Sequence, residues 1–219
     1  MRERARSVED KAKRSEDLLA AAEAVALELG GVRYVTVAAV TARAGLHRTG
    51  VRRYYSSKEE LLLELAERGW GQWRDAVETA TAGRRDLGPA DIAELLVKTI
   101  SSLPVFCDLL AHVAMTLEDD VEIDRARQYK LIAFAAHDQL VGALQRTTTM
   151  PPDHVQTLVT TTVALTASLW QTAHPSPTLA MLYEQEPDWG HYALDFEPRL
   201  TLILQATAIG LGEVLPGQK

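Results

Sequence analysis

Apolar positions along the chain recur at intervals of three and four residues, and alternating runs of apolar and polar residues bounded by turns are missing. This spacing is typical of amphipathic helices, which bury one stripe of side chains and leave the opposite face to water. The pattern therefore predicts an all-α fold.

The first predicted helix follows a basic leader, residues 1–14, which we expect to be flexible. Ser15 is the expected N-cap, because its hydroxyl can accept a hydrogen bond from a free amide of the first turn. An apolar stripe then runs from Leu18 to Leu29, and the glycines at 30 and 31 are placed to end the helix.

Two shorter helices are predicted next. Thr36 is a cap candidate for the first of them, and Gly45 is placed to end it in a left-handed turn. The second is predicted over 47–55, with Val51 and Tyr55 four residues apart on its inward side.

A long helix is predicted to begin after Ser57 and to reach about Ala80. Ser57 and Glu60 have the spacing of a capping box, in which two side chains satisfy free amides reciprocally. Residues 83–89 form the clearest linker. Further helices are expected near 90–102, 104–116, 121–147, 152–173 and 197–212, separated by proline or acidic segments.

Residues 36–55 fit a helix-turn-helix, in which the later helix lies in the DNA major groove and offers its outer side chains to base edges. The outward positions of that helix are Arg48, Thr49, Arg52, Arg53 and, in part, Tyr54. Arginine can bind guanine or phosphate, hydroxyls reach phosphate oxygens, and Gly50 permits close backbone approach. The alternative is a surface helix whose arginines are only solvated.

Charge is unevenly distributed along the 219 residues. The whole chain has a net charge of −7, yet residues 1–58 hold 12 basic and 7 acidic residues, a net charge of +5, which leaves −12 for the rest. A basic head on an acidic body would be oriented on DNA, because phosphate attracts one end and repels the other. Chance clustering is the alternative explanation.

Composition excludes several classes of protein. With 47% hydrophobic and 24% charged residues, the chain resembles an ordinary globular protein. No apolar run is long enough for a membrane span or has the form of a signal peptide, so we expect a cytoplasmic protein. A single cysteine, Cys107, excludes an intramolecular disulfide and a multi-cysteine zinc site.

The segment TVAAVTARAGLHRTGVRRYYSSKEELL, residues 36–62, resembles the DNA-binding signature of the TetR family of transcriptional regulators. The resemblance is specific over about residues 15–65 and implies a DNA head at 1–60 and a helical effector-binding and dimerisation domain at 61–219. Residues 106–110 resemble a segment of some bacterial members. Positions that match the family's usual DNA contacts are Thr36, Arg48, Thr49, Gly50, Arg52, Tyr54 and Lys58.

The segment also departs from the usual family pattern. The family commonly has serine at the position of His47, the order glycine-threonine at 49–50, tyrosine at Arg52 and often arginine at Ala38. Together these departures mean that the operator sequence cannot be inferred from the family. The inward positions keep their apolar or aromatic character, so the fold is still expected.

Cys107, Asp108 and His112 suggest a metal or nucleophile site, since Asp108 and His112 share one helical face. Cys107 and His112 are five residues apart and poorly aligned, and no oxyanion-building loop is visible. We therefore expect a core or pocket-lining cysteine, no catalytic residue, no metal and no cofactor. A helical enzyme using Cys107 or His112 is the alternative, and His137-Asp138 is interpreted as a polar pair or an effector contact.

An effector site is predicted where large rings and one titratable donor occur on helices that should converge. Such sites usually combine apolar walls with a few oriented polar groups. The predicted residues, for an apolar or aromatic effector, are Phe106, His112, Met115, Phe134 and Trp170. All five could equally be core residues.

Two late helices carry many small residues, around Thr162 and around Gly210, and small side chains let helices approach closely. The resemblance implies a homodimer built on these helices, and packing within one chain is the alternative. The predicted function is a repressor released from a pseudo-palindromic operator by a small-molecule effector. An activator, a helical enzyme and a helical adaptor without a DNA role are the alternatives.

Overall fold

The computed structural model describes residues 2–46, 51–192 and 195–214, and the regular elements within these ranges are helices. The all-α prediction is confirmed. The α-helices are α1 (Arg2–Leu29), α2 (Val37–Arg43), α3 (Lys58–Thr81), α4 (Pro89–Ser101), α5 (Pro104–His112), α6 (Ile123–Gln145), α7 (Pro152–Ala173), α8 (Pro177–Gln185) and α9 (Phe196–Val214). Short 3₁₀ helices span Val32–Tyr34 and Pro187–Tyr192, and a π-helical turn spans Val113–Leu117.

The start of the first helix differs from the prediction. α1 begins at Arg2, so the expected leader is helical and Ser15 lies inside the helix instead of capping it. Arginine, glutamate and lysine are good helix formers, which explains why the helix extends through this segment. The Ser15 hydroxyl instead lies 2.7 Å from the hydroxyl of Tyr55, a contact between side chains 40 residues apart in sequence.

Local capping signals fix the turns around α2. α1 ends at Leu29 and is followed by Gly30, whose φ of 75° favours glycine, and the Gly31 amide donates to the Ala26 carbonyl. Thr36 caps α2 by accepting from the Ala39 amide at 3.1 Å, and Gly45 ends the turn with φ 65°. These predicted boundaries are confirmed.

α3 begins with the predicted cap, but its capping box is shifted by one residue. The Ser57 hydroxyl accepts from the Glu60 amide at 3.2 Å. The Glu60 carboxylate accepts from the amide of Ser56, not of Ser57, at 2.7 Å. α3 connects the head, which precedes it in the chain, to the helical body.

The body is a bundle around α3. α3 packs against α4, α5 and α6, α5 packs against α7, and α9 packs against both α4 and α7. Trp73 lies at the centre of this core, fully buried, and its indole N–H donates to the Thr99 hydroxyl at 3.1 Å. This hydrogen bond lets the ring be buried at no cost of an unsatisfied N–H group, as a stable core requires.

The sequence did not predict α8, which lies in a region expected to be a loop. None of its residues is buried, and its closest helical neighbour is the 3₁₀ helix that follows. α8 is only nine residues long and lies among prolines at 175, 177 and 187, and short segments bounded by prolines are typical of loops. The expected helix 104–116 also ends early as an α-helix, because its last turn is π-helical.

Candidate DNA interface and effector cleft

The predicted DNA-reading segment, residues 36–55, keeps its apolar side inward where the structure describes it. Val51 and Tyr55 are buried, and the Val51 carbonyl accepts hydrogen bonds from the amides of Tyr54 and Tyr55. Arg52 and Arg53 are exposed. Within the part of the chain that the structure describes, neither guanidinium forms an ion pair, so both are available to an external anion.

The remaining predicted DNA contacts are placed as follows. Thr36 is exposed at the start of α2, and Tyr54 is half-buried. The Lys58 ammonium donates to the Arg33 carbonyl at 3.1 Å, which holds it near the start of α3. Arg48, Thr49 and Gly50 lie outside the described residues.

The five predicted effector residues do not surround one cavity. Phe106 is 2% exposed in the core, with its ring centroid 5.4 Å from that of Trp70 in an edge-on contact. Met115 is 76% exposed. Phe134 and Trp170 line two different cavities, and His112 is half-buried with its Nε2 3.6 Å from Asp108 Oδ1.

The larger of these two cavities is a cleft of about 620 Å³ between five elements of the body. Its apolar floor comes from α3, α5 and the π-helical turn, and its sides come from α6 and α7. We call it the effector cleft. It is lined by Trp70, Leu110, Val113, Tyr129, Lys130, Ala133, Phe134, His137, Asp138, Gln156, Thr160, Val163 and Ala164.

The polar groups of the effector cleft are few and oriented. Trp70 donates its indole N–H to the Tyr129 hydroxyl at 3.1 Å, and burial raises the pKa of that phenol to about 12. Tyr129 is therefore neutral at physiological pH. At the rim, His137 Nδ1 lies 3.4 Å from Asp138 Oδ1. A volume of this size with apolar walls and a polar rim suits a drug-sized, largely apolar molecule.

Sequence reasoning identified Phe134 in this cleft and noted the His137-Asp138 pair, but missed Trp70 and Tyr129. These two rings are 59 residues apart in sequence, and their hydrogen bond exists only because α3 and α6 pack together. A periodic aromatic position on a helix is equally consistent with the core, so the sequence alone contains no signal that separates the two.

Trp170 lines a smaller cavity, of about 200 Å³, between the head and the body. Its ring is stacked on His174 with centroids 3.8 Å apart and meets Phe196 edge-on. Gly30 and Gly31 of the head and Asp108 of α5 line the same cavity. Trp170 is thus a junction residue, separate from the effector cleft.

Comparison with protein families gives two matches that together span most of the chain. Residues 18–65 match the model of the N-terminal domain of bacterial regulatory proteins of the tetR family. Residues 67–213 match the model of the tetracyclin repressor-like C-terminal domain. The chain belongs to the TetR family. It is a transcription regulator with a helix-turn-helix DNA-binding domain.

Solved structures of TetR-family chains share the fold at low sequence identity. A TetR transcriptional regulator from Rhodococcus sp. RHA1 is 15% identical, with a TM-score of 0.59 over 94% of this chain and 99% of that one. A candidate regulator from Streptomyces coelicolor A3(2) is 17% identical, with a TM-score of 0.54 over 93% and 99%. A third, from Mesorhizobium loti MAFF303099, gives 14% and 0.51 over 93% and 97%. Among curated proteins, none matches the chain.

The cysteine of this TetR-family regulator lies in an environment that makes its thiol unreactive. Cys107 is fully buried, and its thiol donates to the Ile100 carbonyl at 3.2 Å. Burial raises the pKa of the thiol to about 12, so the nucleophilic thiolate is scarce at neutral pH. The geometry therefore does not support the alternative hypothesis of an enzyme that uses Cys107.

The described residues of the TetR-family chain hold neither a candidate metal site nor a candidate membrane span. They contain no group of three histidine, cysteine or carboxylate side chains placed to hold a metal ion. They also contain no helix with both the length and the apolar character that a membrane crossing needs.

Proposed function

We propose that the protein is a homodimeric repressor that leaves a pseudo-palindromic operator when a largely apolar effector fills the effector cleft. Residues 1–60 form the DNA head, and residues 61–219 form the effector-binding and dimerisation body. Because the target is chromosomal DNA, we place its action in the cytoplasm. The observation that carries the effector part of this proposal is the cleft of about 620 Å³ with apolar walls and a polar rim.

The exposed arginines support the proposed DNA face. Two guanidiniums without ion-pair partners, Arg52 and Arg53, lie beside the buried Val51 and so point away from the head's core. Arginine in this setting binds guanine edges or phosphates. The proposed contact set is Thr36, Arg48, Thr49, Gly50, Arg52, Arg53, Tyr54 and Lys58.

The proposed dimer face uses the outer sides of α7 and α9, because their inner sides already pack within the chain. Thr162, Thr166 and Ala208 are buried, so this part of the small-residue pattern serves the subunit's own core. On the outer sides, exposed residues that do not line the cleft recur at helical spacing: Thr157, Ser168 and Thr172 on α7, and Leu202, Ala206 and Ile209 on α9. Leu202 and Ile209, both more than half exposed, gain most from a partner.

Effector and DNA would be coupled through α3 and α5. Trp70 of α3 and Leu110 of α5 line the effector cleft, and α3 begins directly after the DNA-reading segment. A ligand that moves these helices changes the separation of two heads in a dimer. Such couplings are typically about 1–3 kcal/mol, enough to release an operator.

The test begins with selection of an operator from a library of random DNA duplexes. Release of that operator is then measured by fluorescence anisotropy with a panel of small aromatic and aliphatic compounds. A cleft-filling variant, Val163→Trp, should bind the operator and fail to respond to an active compound. Val141→Trp is the matched control, because Val141 is also half-buried but does not line the cleft.

Three results would contradict this proposal: a chain that selects no DNA, a chain that is monomeric at micromolar concentration, and a Val163→Trp variant that responds like the unmodified protein. A reporter gene downstream of the selected operator distinguishes repression from activation. Repression predicts that expression rises when an active compound is added. A fall in expression would identify an activator.

A further inference from the structure

Asp108 is a buried carboxylate that joins the head to the body. It lies on α5 and is 7% exposed. Its Oδ2 accepts the backbone N–H of Val32 at 2.6 Å, and its Oδ1 accepts the Nε2–H of Gln171 at 2.6 Å. A buried charge needs such partners, and hydrogen bonds to a carboxylate are stronger than those to a neutral acceptor.

On the head side, Asp108 replaces a cap that the local sequence cannot supply. Val32 begins the 3₁₀ helix between α1 and α2, and the residue before it is glycine, which has no side chain to cap the free amide. The chain passes Gly31 with φ 154°, and a Cβ at that position would lie 3.3 Å from Asp108 Oδ2. Glycine therefore permits both the backbone turn and the approach of the carboxylate.

On the body side, Asp108 is bonded to the helix that carries the proposed dimer face. Gln171 lies in the last turn of α7, whose outer side holds Thr157, Ser168 and Thr172. His112 Nε2 lies 3.6 Å from the same Oδ1 and has no hydrogen-bond partner, so the two short contacts are to Val32 and Gln171. A chain of two hydrogen bonds thus runs from α7 to the turn that precedes α2.

We propose that Asp108 is a positioning residue that fixes the DNA head on the body and so sets the distance between the two heads of the dimer. It is not among the proposed DNA contacts and does not line the effector cleft. It lies on the same helix as the cleft-lining Leu110, so a shift of α5 also shifts the contact with Val32. The inference rests on the proposed dimer that reads two half-sites.

The test measures preference for half-site spacing. Duplexes carry the selected operator, the same operator with one or two base pairs added or removed between half-sites, or one half-site alone. Asp108→Leu keeps a side chain of similar size and removes both acceptors. We expect it to lose about tenfold in affinity for the correct spacing, the effect of one lost hydrogen bond to a charged group, and to discriminate poorly between spacings. Its affinity for a single half-site should stay within about twofold of the unmodified value.

Three further variants make the result specific. Gln171→Leu leaves the Val32 contact in place and breaks only the link to α7, so it should also relax the spacing preference and keeps the test valid if Asp108→Leu fails to fold. Asp108→Asn should restore the preference, because its amide oxygen can accept from Val32 while Gln171 rotates. Asp91→Leu is the control, since Asp91 accepts from the Gly88 amide at 3.0 Å on the surface of the body, away from the head, and should leave the spacing preference unchanged.

Hydrogen exchange of the peptide that contains Val32 provides a second measurement, of the hydrogen bond between the Val32 amide and Asp108. Exchange should be faster in Asp108→Leu and unchanged in Asp91→Leu. If Asp108→Leu or Gln171→Leu folds and discriminates spacing as the unmodified chain does, the inference is wrong while the proposed function stands. An unmodified dimer that binds all spacings equally also overturns it. A chain that binds no DNA, or is a monomer, overturns the proposed function and this inference together.

Discussion

The head and the body are stabilised in different ways. In the head, short helices are set by caps close in sequence, such as Thr36 and Ser57, and its arginines are left exposed. In the body, long helices are held by rings that meet from distant parts of the chain, with Trp73 fully buried at the centre. The head can therefore change its outer residues without losing its fold, whereas the body's inner residues are constrained by packing.

The tightest example of that constraint is the contact between Gly69 and Phe106. A Cβ at Gly69 would lie 2.2 Å from the Phe106 ring, which is itself enclosed by Trp70 and Trp73. Core packing at this density leaves no space for an extra methyl group. The glycine at position 69 is thus required by the Phe106 ring that it faces and not by a turn.

The largest change in stability is expected on truncating a core ring of the body. Phe106→Ala should lower the free energy of unfolding by about 3–5 kcal/mol, because it removes a fully enclosed ring and leaves a cavity. Phe134→Ala, at a ring that is 61% exposed, should change it by no more than about 0.5 kcal/mol. Chemical denaturation of the two variants measures both values. Equal losses would show that the two rings are equally buried in solution, contrary to this packing.

A smaller effect, on a different quantity, is expected in the head. Arg52→Ala and Arg53→Ala should each cost about 1–3 kcal/mol of operator affinity if they read a base, with relaxed preference at one base pair. Their stability should change by less than about 0.5 kcal/mol, since both side chains are exposed. Arg85→Ala, an exposed arginine of the linker, is the control. Normal operator binding by a folded Arg52→Ala, Arg53→Ala double variant would remove these residues from the DNA face.

The smallest effect concerns pH and the junction between the two regions. Burial lowers the pKa of His112 below its usual value near 6.5, and the carboxylate of Asp108 opposes this in part. The unfolded chain then binds more protons than the folded one as pH falls through and below that value, so stability decreases on acidification. His112→Gln should flatten the dependence of the melting temperature on pH between about 7.5 and 5.5. An unchanged slope would show that other groups control it.

Local signals explain which predictions succeeded. The caps at Thr36 and Ser57, the glycine at 45 and the helix over 152–173 depend on residues within one or two turns of each other. The prediction that Ser15 is an N-cap was wrong, because a serine hydroxyl can cap a helix or contact a distant side chain. In the fold it contacts Tyr55. α8 was missed because it is short and lies among prolines, which indicate a loop when the sequence is considered alone.

By itself, the sequence determined the helical class, the helix-turn-helix segment, the outward arginines and the excess of positive charge in the head, since each depends on spacing or composition along the chain. Only the tertiary structure decided which rings form the core and which line a cleft. Phe106 and Phe134 are both aromatic residues on helices, and only the neighbours that α3 and α7 bring to them distinguish the two. The bond from Asp108 to Val32 spans 76 residues, so it exists only because α5 packs against the turn before α2.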